Sequence, residues 1–444
     1  TDQRWASISG SPRDIDRSFG VTIDDYRTPG GRVVYAADRP AAVPNGVCDE
    51  VAGIGTIHSL VQPVALSGSS RSFGGLNKTQ LLQAYDIAPL VSAGNSGQGQ
   101  TVVFLEGSGP VEKDLQTFRS DEHLPSYNLL FIGSRSAGSG SDETTMDIET
   151  VHEIAPAAHL VVFNLNSLPG NVTTAELFAE AFTKAAARWP HAIFSVSLGL
   201  CESDPSIFDR SDLVAVNSAV AKVEGKGATV FASSGDSGGL DCTPDSDDGD
   251  PPQSSFEGVS VPASLPAVTG VGGTALSTDA TGRYIRETTW SEPLLSQGSG
   301  GGVAGAFARP TWQVGVGTGG QSDTGNGREV PDVSADSDPS TGNFIVDDNN
   351  QAEIGGGTSL AAPIWAGATA IMDQYLSASH HPPIGFFNPA LYHLANSKDP
   401  YRPFHDVTVG GNDFYPATPG YDMVTGLGSP NVFNLARDLA AAGY

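Results

Sequence analysis

The sequence predicts an α/β protein: a parallel β-sheet with helices on both faces, behind a small, partial α+β unit at the N-terminus. Three observations predict it. Short β-rich runs bounded by turn residues alternate with helical stretches through the middle of the chain, as they do where helices cover both sides of a parallel sheet. At 444 residues and 39% hydrophobic content, the chain can build one large core plus a smaller module. A stretch rich in Ser and Gly, "SLVQPVALSGSSRSFGG", separates the two.

The N-terminal unit, residues 1–58, opens with a strand-like "RWASISG". A short helix follows in "SPRDIDRSFG", with Ser11 as N-cap, Pro12 at the first helical position and Gly20 as the stop. "RVVYAA" is a second strand. Residues 59–75 read as a linker carrying a maturation cleavage site, and residues 76–444 as the main domain. Its strands are "QTVVFLE", "AHLVVFNL", "AIFSVSLG" and "ATVFASSG", with helices in "TAELFAEAFTKAAARW" and "SDLVAVNSAVAKVEGKG". Sites in such sheets gather at the carboxyl ends of the strands. No internal repeat is visible. "DCTPDSDDGDPPQ" fails as an EF-hand: counted from Asp245, its glycine falls one place early and Phe256 occupies the twelfth position. It reads as a solvated loop.

Fifty Asp and Glu against 23 Lys and Arg give a net charge of −27. Phosphate backbones are repelled by such a surface, so nucleic acid is excluded as a partner. Acid conditions suit it, because neutralised carboxylates cease to repel one another; a merely soluble acidic surface gives the same composition. No apolar run reaches the roughly 18 residues a membrane span needs. "TDQRWASISG" has neither an initiator methionine nor a signal pattern, so the chain is expected to begin inside a longer precursor. Cys201 and Cys242 each follow a glycine-containing loop after a strand-like run and can approach in space. Their disulfide is the expectation, with Cys48 left over. The composition fits a secreted protein or one of an acidic compartment.

"GGGTSLAAPIWAG" displays Ser359 at the start of an apolar helix, as a nucleophile would be displayed. A serine needs a base. None of the nine histidines sits in the glycine turn where subtilisin-like enzymes carry theirs; His152, in "TVHEIAP", comes nearest. The same helix offers Glu143 and Asp147 in "SDETTMDIETVHEIAP", four residues apart on one face. A solvated acidic helix start explains that spacing equally, but Met146, Ile148, Val151 and Ile154 mark the helix as packed. Below roughly pH 5 an imidazole is charged, whereas a glutamate with a pKa near 4 to 5 still accepts a proton. In "VFASSGDSGG", Asp236 either caps its own turn or, protonated, donates a hydrogen bond to an oxyanion.

With these blocks in order, together with "SVSLGLCES", "VPASLPAVTGVGGTAL", "RPTWQ", "VPDVSADSDPSTG" and the tail "FHDVTVGGNDFYPATPGYDMVTGLGSPN", the chain resembles the sedolisins, the serine-carboxyl peptidases of subtilisin-like fold. The resemblance covers nearly the whole chain. It implies Ser359 as nucleophile, Glu143 as general base, Asp147 as its partner and Asp236 as the oxyanion residue. It also implies one structural Ca²⁺, held by carboxylates of Asp406 and Asp422 and carbonyls of Val407, Thr418 and Gly420, an all-oxygen set that suits this hard ion. Thr418 departs from the family's usual glycine, where only a carbonyl is needed. "RSFGVTIDDYRTPGGRVVYAADRPAAVP" resembles the second half of the family's prodomain, an intramolecular inhibitor or chaperone. The expected substrates are polypeptides, cut by a monomer either internally or as tripeptides from the amino end. Side-chain specificity is not legible. Two rivals stay open: an inactive calcium-stabilised binding protein and a neutral subtilisin.

Overall fold

The computed structural model describes residues 11–27, 33–37, 75–138, 140–168, 173–204, 207–242, 257–292, 297–315, 326–347, 350–397 and 401–444. The chain divides into two units, 1–72 and 73–444. In the first, helix α1 (Pro12–Phe19) starts at Ser11, whose side chain accepts from the Asp14 amide, and ends at Gly20 with φ 65°. Strands β1 (Ile23–Arg27) and β2 (Val33–Ala37) pair antiparallel. The opening "RWASISG", Cys48 and the linker up to residue 74 lie outside the described residues.

The second unit begins with α2 (Lys78–Ala84) and α3 (Ala88–Ser92), then alternates: β3 (Thr101–Glu106), α4 (Glu112–Asp121), β4 (Asn128–Ile132), α5 (Ser141–Ile154), β5 (His159–Asn164), α6 (Thr174–Arg188), β6 (Ile193–Val196), β7 (Leu200–Cys201), α7 (Arg210–Glu224) and β8 (Thr229–Ser233). After β9 (Ser260–Val261) comes the long β10 (Thr269–Thr278) and its antiparallel partner β11 (Tyr284–Thr289). Short pairs follow, β12 (Ser291–Glu292) with β13 (Gln297–Gly298) and β14 (Gly302–Ala308) with β15 (Gly327–Val330). Strand β16 (Val333–Asp336) joins β10 in parallel. The hairpin β17 (Phe344–Asp347) and β18 (Gln351–Ile354) leads into α8 (Thr358–Ala378). Helix α9 (Asn388–Ala395), the pair β19 (Phe404–His405) and β20 (Ser429–Pro430), and α10 (Val432–Ala442) complete the chain.

The central sheet runs β11-β10-β8-β6-β3-β5-β4, with β16 also on β10. Every pair except β10–β11 is parallel. Alternate side chains enter two cores. Val102, Phe104, Leu160, Val162 and Phe231 join α5 and α8 on one face, while Val103, Leu105, Val161, Phe163 and Val230 join α6 and α7 on the other. Burial on both faces is why these strands read as unbroken apolar runs. Helix α8 is apolar on all sides and buried through most of its length, because it packs among α5, β6, β8 and β16. Among the described residues no helix is long and apolar enough to cross a membrane.

Candidate active site

Three strand ends meet two helix starts here. β3 finishes at Glu106, β6 runs into Ser197, and β8 runs into the turn carrying Asp236. Glu143 stands in the first turn of α5 and Ser359 in the first turn of α8. The start of α8 needs glycine: Gly357 has φ +80°, and a Cβ there would lie 2.7 Å from Asp236 Oδ2.

Asp236 is tied to that helix start rather than to its own turn. Its Oδ1 accepts from the Thr358 amide at 2.8 Å and from the Thr358 hydroxyl at 2.7 Å. Oδ2 takes part in neither bond. The capping role in the loop belongs to Asp241, whose Oδ1 accepts from the Ser237 amide at 3.0 Å. Gly235, with φ +112°, lets that carboxylate in, since a Cβ there would meet Asp241 Oδ2 at 1.9 Å. Asp241 and Cys242 are thus both anchored, Cys242 by the disulfide with Cys201; the rest of the stretch expected to be a solvated loop lies outside the described residues.

Glu143 is acted on by Ser359, Asp236, Ser197 and Asp347. Burial pushes its carboxyl up to about 7, with Asp236 and Asp347 adding to the rise and hydrogen bonds from Ser359 and Ser197 opposing it. That lies above the ordinary glutamate range, because the strand ends and α8 withdraw the group from water. Asp147 is fully buried. Both its oxygens lie 2.9 Å from Ser197 Oγ. Burial, then Glu106 and Glu143, push it well above the usual carboxylate range. Asp236 is also raised by burial, against the pull of Thr358.

Two residues of the site escaped the sequence reading. Glu106 is fully buried, accepts from Thr144 Oγ1 at 3.2 Å, and lies within reach of a proton shared with Asp147. Burial and the Glu143 charge push it up to about 8. Its one signal was an acid closing an otherwise apolar strand. Ser197 gave no signal beyond its place after a strand. His152 is occupied elsewhere: its Nε2 lies 2.9 Å from the Pro125 carbonyl and its ring lies tilted against Tyr127, centroids 4.0 Å apart.

A cavity of about 740 Å³ opens beside Ser359 and Asp236. Its lining also includes the disulfide, Asp204, Asp241 and Glu257.

In the tail, Asp422 is buried and accepts from the amides of Thr418, Val424 and Thr425 at 3.0, 2.9 and 2.8 Å. Asp406 accepts from the Gly420 amide at 3.1 and 3.2 Å. The two carboxylates therefore close on one short segment, 418–420, and Val407 is buried beside Asp406 in sequence. Among the described residues no cluster of three or more His, Cys, Asp or Glu side chains is set to hold a metal.

The subtilase family matches residues 132–383. Kumamolisin of Bacillus sp. (strain MN-32) is 31% identical over 98% of this chain and 78% of its own length. The chain belongs to the sedolisin family of serine-carboxyl peptidases. Sedolisin of Pseudomonas sp. (strain 101) is 30% identical over 99% of this chain and 75% of its own. Human tripeptidyl-peptidase 1 (Homo sapiens) is 29% identical over 91% and 73%. The solved structure of Pseudomonas sedolisin, a serine-carboxyl proteinase complexed with two molecules of pseudo-iodotyrostatin, superposes with a TM-score of 0.70 at 30% identity, covering 85% of this chain and all of that one. As a sedolisin-family member this protein is a peptidase of subtilisin-like fold, and its substrates are polypeptides.

Proposed function

We propose that the protein hydrolyses peptide bonds in acid through an acyl-enzyme on Ser359, with Glu143 as general base. The observation that carries this reading is the placing of Glu143 at the start of one helix against Ser359 at the start of another, with Asp147 and Glu106 behind it. Glu143 removes the Ser359 proton as Oγ attacks the carbonyl carbon. Asp236, protonated on the oxygen that Thr358 does not occupy, donates to the oxyanion. Collapse breaks the C–N bond, and the amine leaves with the proton from Glu143. Water, deprotonated by Glu143, then releases the acyl group and restores Ser359.

Both key acids are raised, Glu143 to about 7. The productive arrangement, Glu143 ionised and Asp236 protonated, is one of two placings of a single proton. A bell-shaped profile survives, because both placings carry the same number of protons, but its limbs belong to the set of acids. Measuring kcat/KM across roughly pH 2 to 8 tests this. Asp236→Asn, a donor at every pH, should keep measurable activity, lose the alkaline limb and shift its optimum toward neutral. Asp236→Ala should lose on the order of a hundredfold or more throughout. An asparagine variant with the wild-type alkaline limb would falsify the role of Asp236.

Asp406 and Asp422, with the carbonyls of Val407, Thr418 and Gly420, would hold one Ca²⁺. The donors are all oxygen, and the buried Asp422 carboxylate meets backbone amides rather than a cationic side chain. The ion would fix the tail loop. Chelation should lower the melting temperature of the wild type and leave Asp422→Ala unmoved; a wild type indifferent to chelator removes the ion. The N-terminal unit we read as the remnant of a prodomain, released by cleavage in residues 59–75, and the setting as secreted or an acidic compartment.

A further inference from the structure

Ser197 sits where β6 ends and has 7% of its surface exposed. Its Oγ is 2.9 Å from each oxygen of Asp147 and 3.3 Å from the Ser359 carbonyl. That carbonyl needs a partner, because Pro363 stands four residues on inside α8 and has no N–H to offer it. Glu143 draws on the same hydroxyl. One proton therefore faces several acceptors, and a hydroxyl donates only one hydrogen bond at a time.

We propose that Ser197 is a positioning residue for the peptidase reaction, a rotating donor shared between Glu143 and Asp147. The inference rests on Glu143 being the base. Before proton transfer the hydroxyl donates to ionised Glu143 and holds it toward Ser359. Once Glu143 has taken the Ser359 proton, the hydroxyl turns to Asp147, leaving Glu143 free to pass its proton to the departing amine. Ser197 keeps its own proton throughout, so no charge is created on it. Other groups facing the pair are Glu106 from β3, Asp236 from the loop after β8, Asp347 from β17 and Ser359 from α8. No basic side chain is among them, so the hydroxyl is the adjustable donor in a set of acids.

The test is kcat and KM, measured separately across about pH 2 to 8, for wild type, Ser197→Ala and Ser197→Cys. Without the donor, ionised Glu143 is less favoured. The acid limb of kcat should move up by about one pH unit, and kcat should fall on the order of ten- to a hundredfold, with KM nearly constant. Cysteine, a weak donor of similar size, should fall between. If alanine does not fold, the cysteine limb decides. A loss of kcat with an unmoved limb makes Ser197 a shape-filling residue and overturns the proposal, as does a rise in KM with kcat preserved. Glu143→Gln runs alongside. If it keeps the wild-type rate, the base assignment falls and this inference with it; if it is inactive while the Ser197→Ala limb stays put, only this inference falls.

Discussion

Asp147 and Asp332 are both fully buried aspartates, yet the protein neutralises them by different means. Asp332 meets a guanidinium: Arg328, itself fully buried, donates to it from Nη1 at 2.9 Å, and the Gly270 amide and Tyr392 hydroxyl each donate at 2.8 Å. Trp312 lies under the guanidinium, 5.2 Å from ring centre to Cζ. Asp147 meets a hydroxyl and two more acids, Glu106 and Glu143, all three pushed up by burial. The first arrangement is satisfied with its charge in place. The second is satisfied only while the carboxyl groups hold protons between them. That difference separates a framework contact, whose carboxylate faces a fixed cation, from a site whose charge state can change during a reaction.

Breaking the framework contact should have the larger effect. Arg328→Met leaves Asp332 buried without its cation, a change that costs about 3 to 5 kcal/mol in comparable buried pairs. The loss should be greatest at neutral pH and shrink in acid, where Asp332 can take a proton instead. Urea unfolding at pH 4 and pH 7, on a Ser359→Ala background to prevent self-digestion, measures both. An equal loss at the two values would show that Asp332 does not depend on the guanidinium for its neutralisation.

The contrast also marks what could be read in advance. The strands and flanking helices were legible because burial on both faces writes itself into local sequence, and the cap at Ser11 and stop at Gly20 follow from backbone geometry. Ser359, Glu143, Asp147 and Asp236 were nominated by short motifs, and the fold brings all four to one end of the sheet. The raised carboxyl of Glu143 was not legible, since the desolvation comes from α8 and from strand ends distant in sequence. Glu106 and Ser197 were missed for the same reason: each is an ordinary strand-end residue until β3, β6 and α5 converge. Arg328 and Asp332 are four apart outside any helix, a spacing that carries no signal.

The acid cluster itself should show a smaller but more telling effect. A carboxyl group whose folded pKa lies above its unfolded value binds protons more tightly in the native state. Its contribution to stability is present below the unfolded pKa, near 4 to 5, and is lost as pH rises through the folded one. Glu106, at about 8, and Glu143, at about 7, place that window between roughly pH 4.5 and 8. Stability should therefore fall across it, by a few kcal/mol for the set. Glu106→Gln keeps the shape and removes one titration, so it should remove a large part of that fall. Its amide can still donate to Asp147, which leaves the fold intact in acid. Unfolding free energies at pH 4.5, 6 and 8 for Ser359→Ala with and without Glu106→Gln decide the point. If the glutamine variant keeps the full slope, Glu106 is not among the groups that bind protons on folding. The neutralisation of Asp147 would then rest on Glu143 and Ser197 alone.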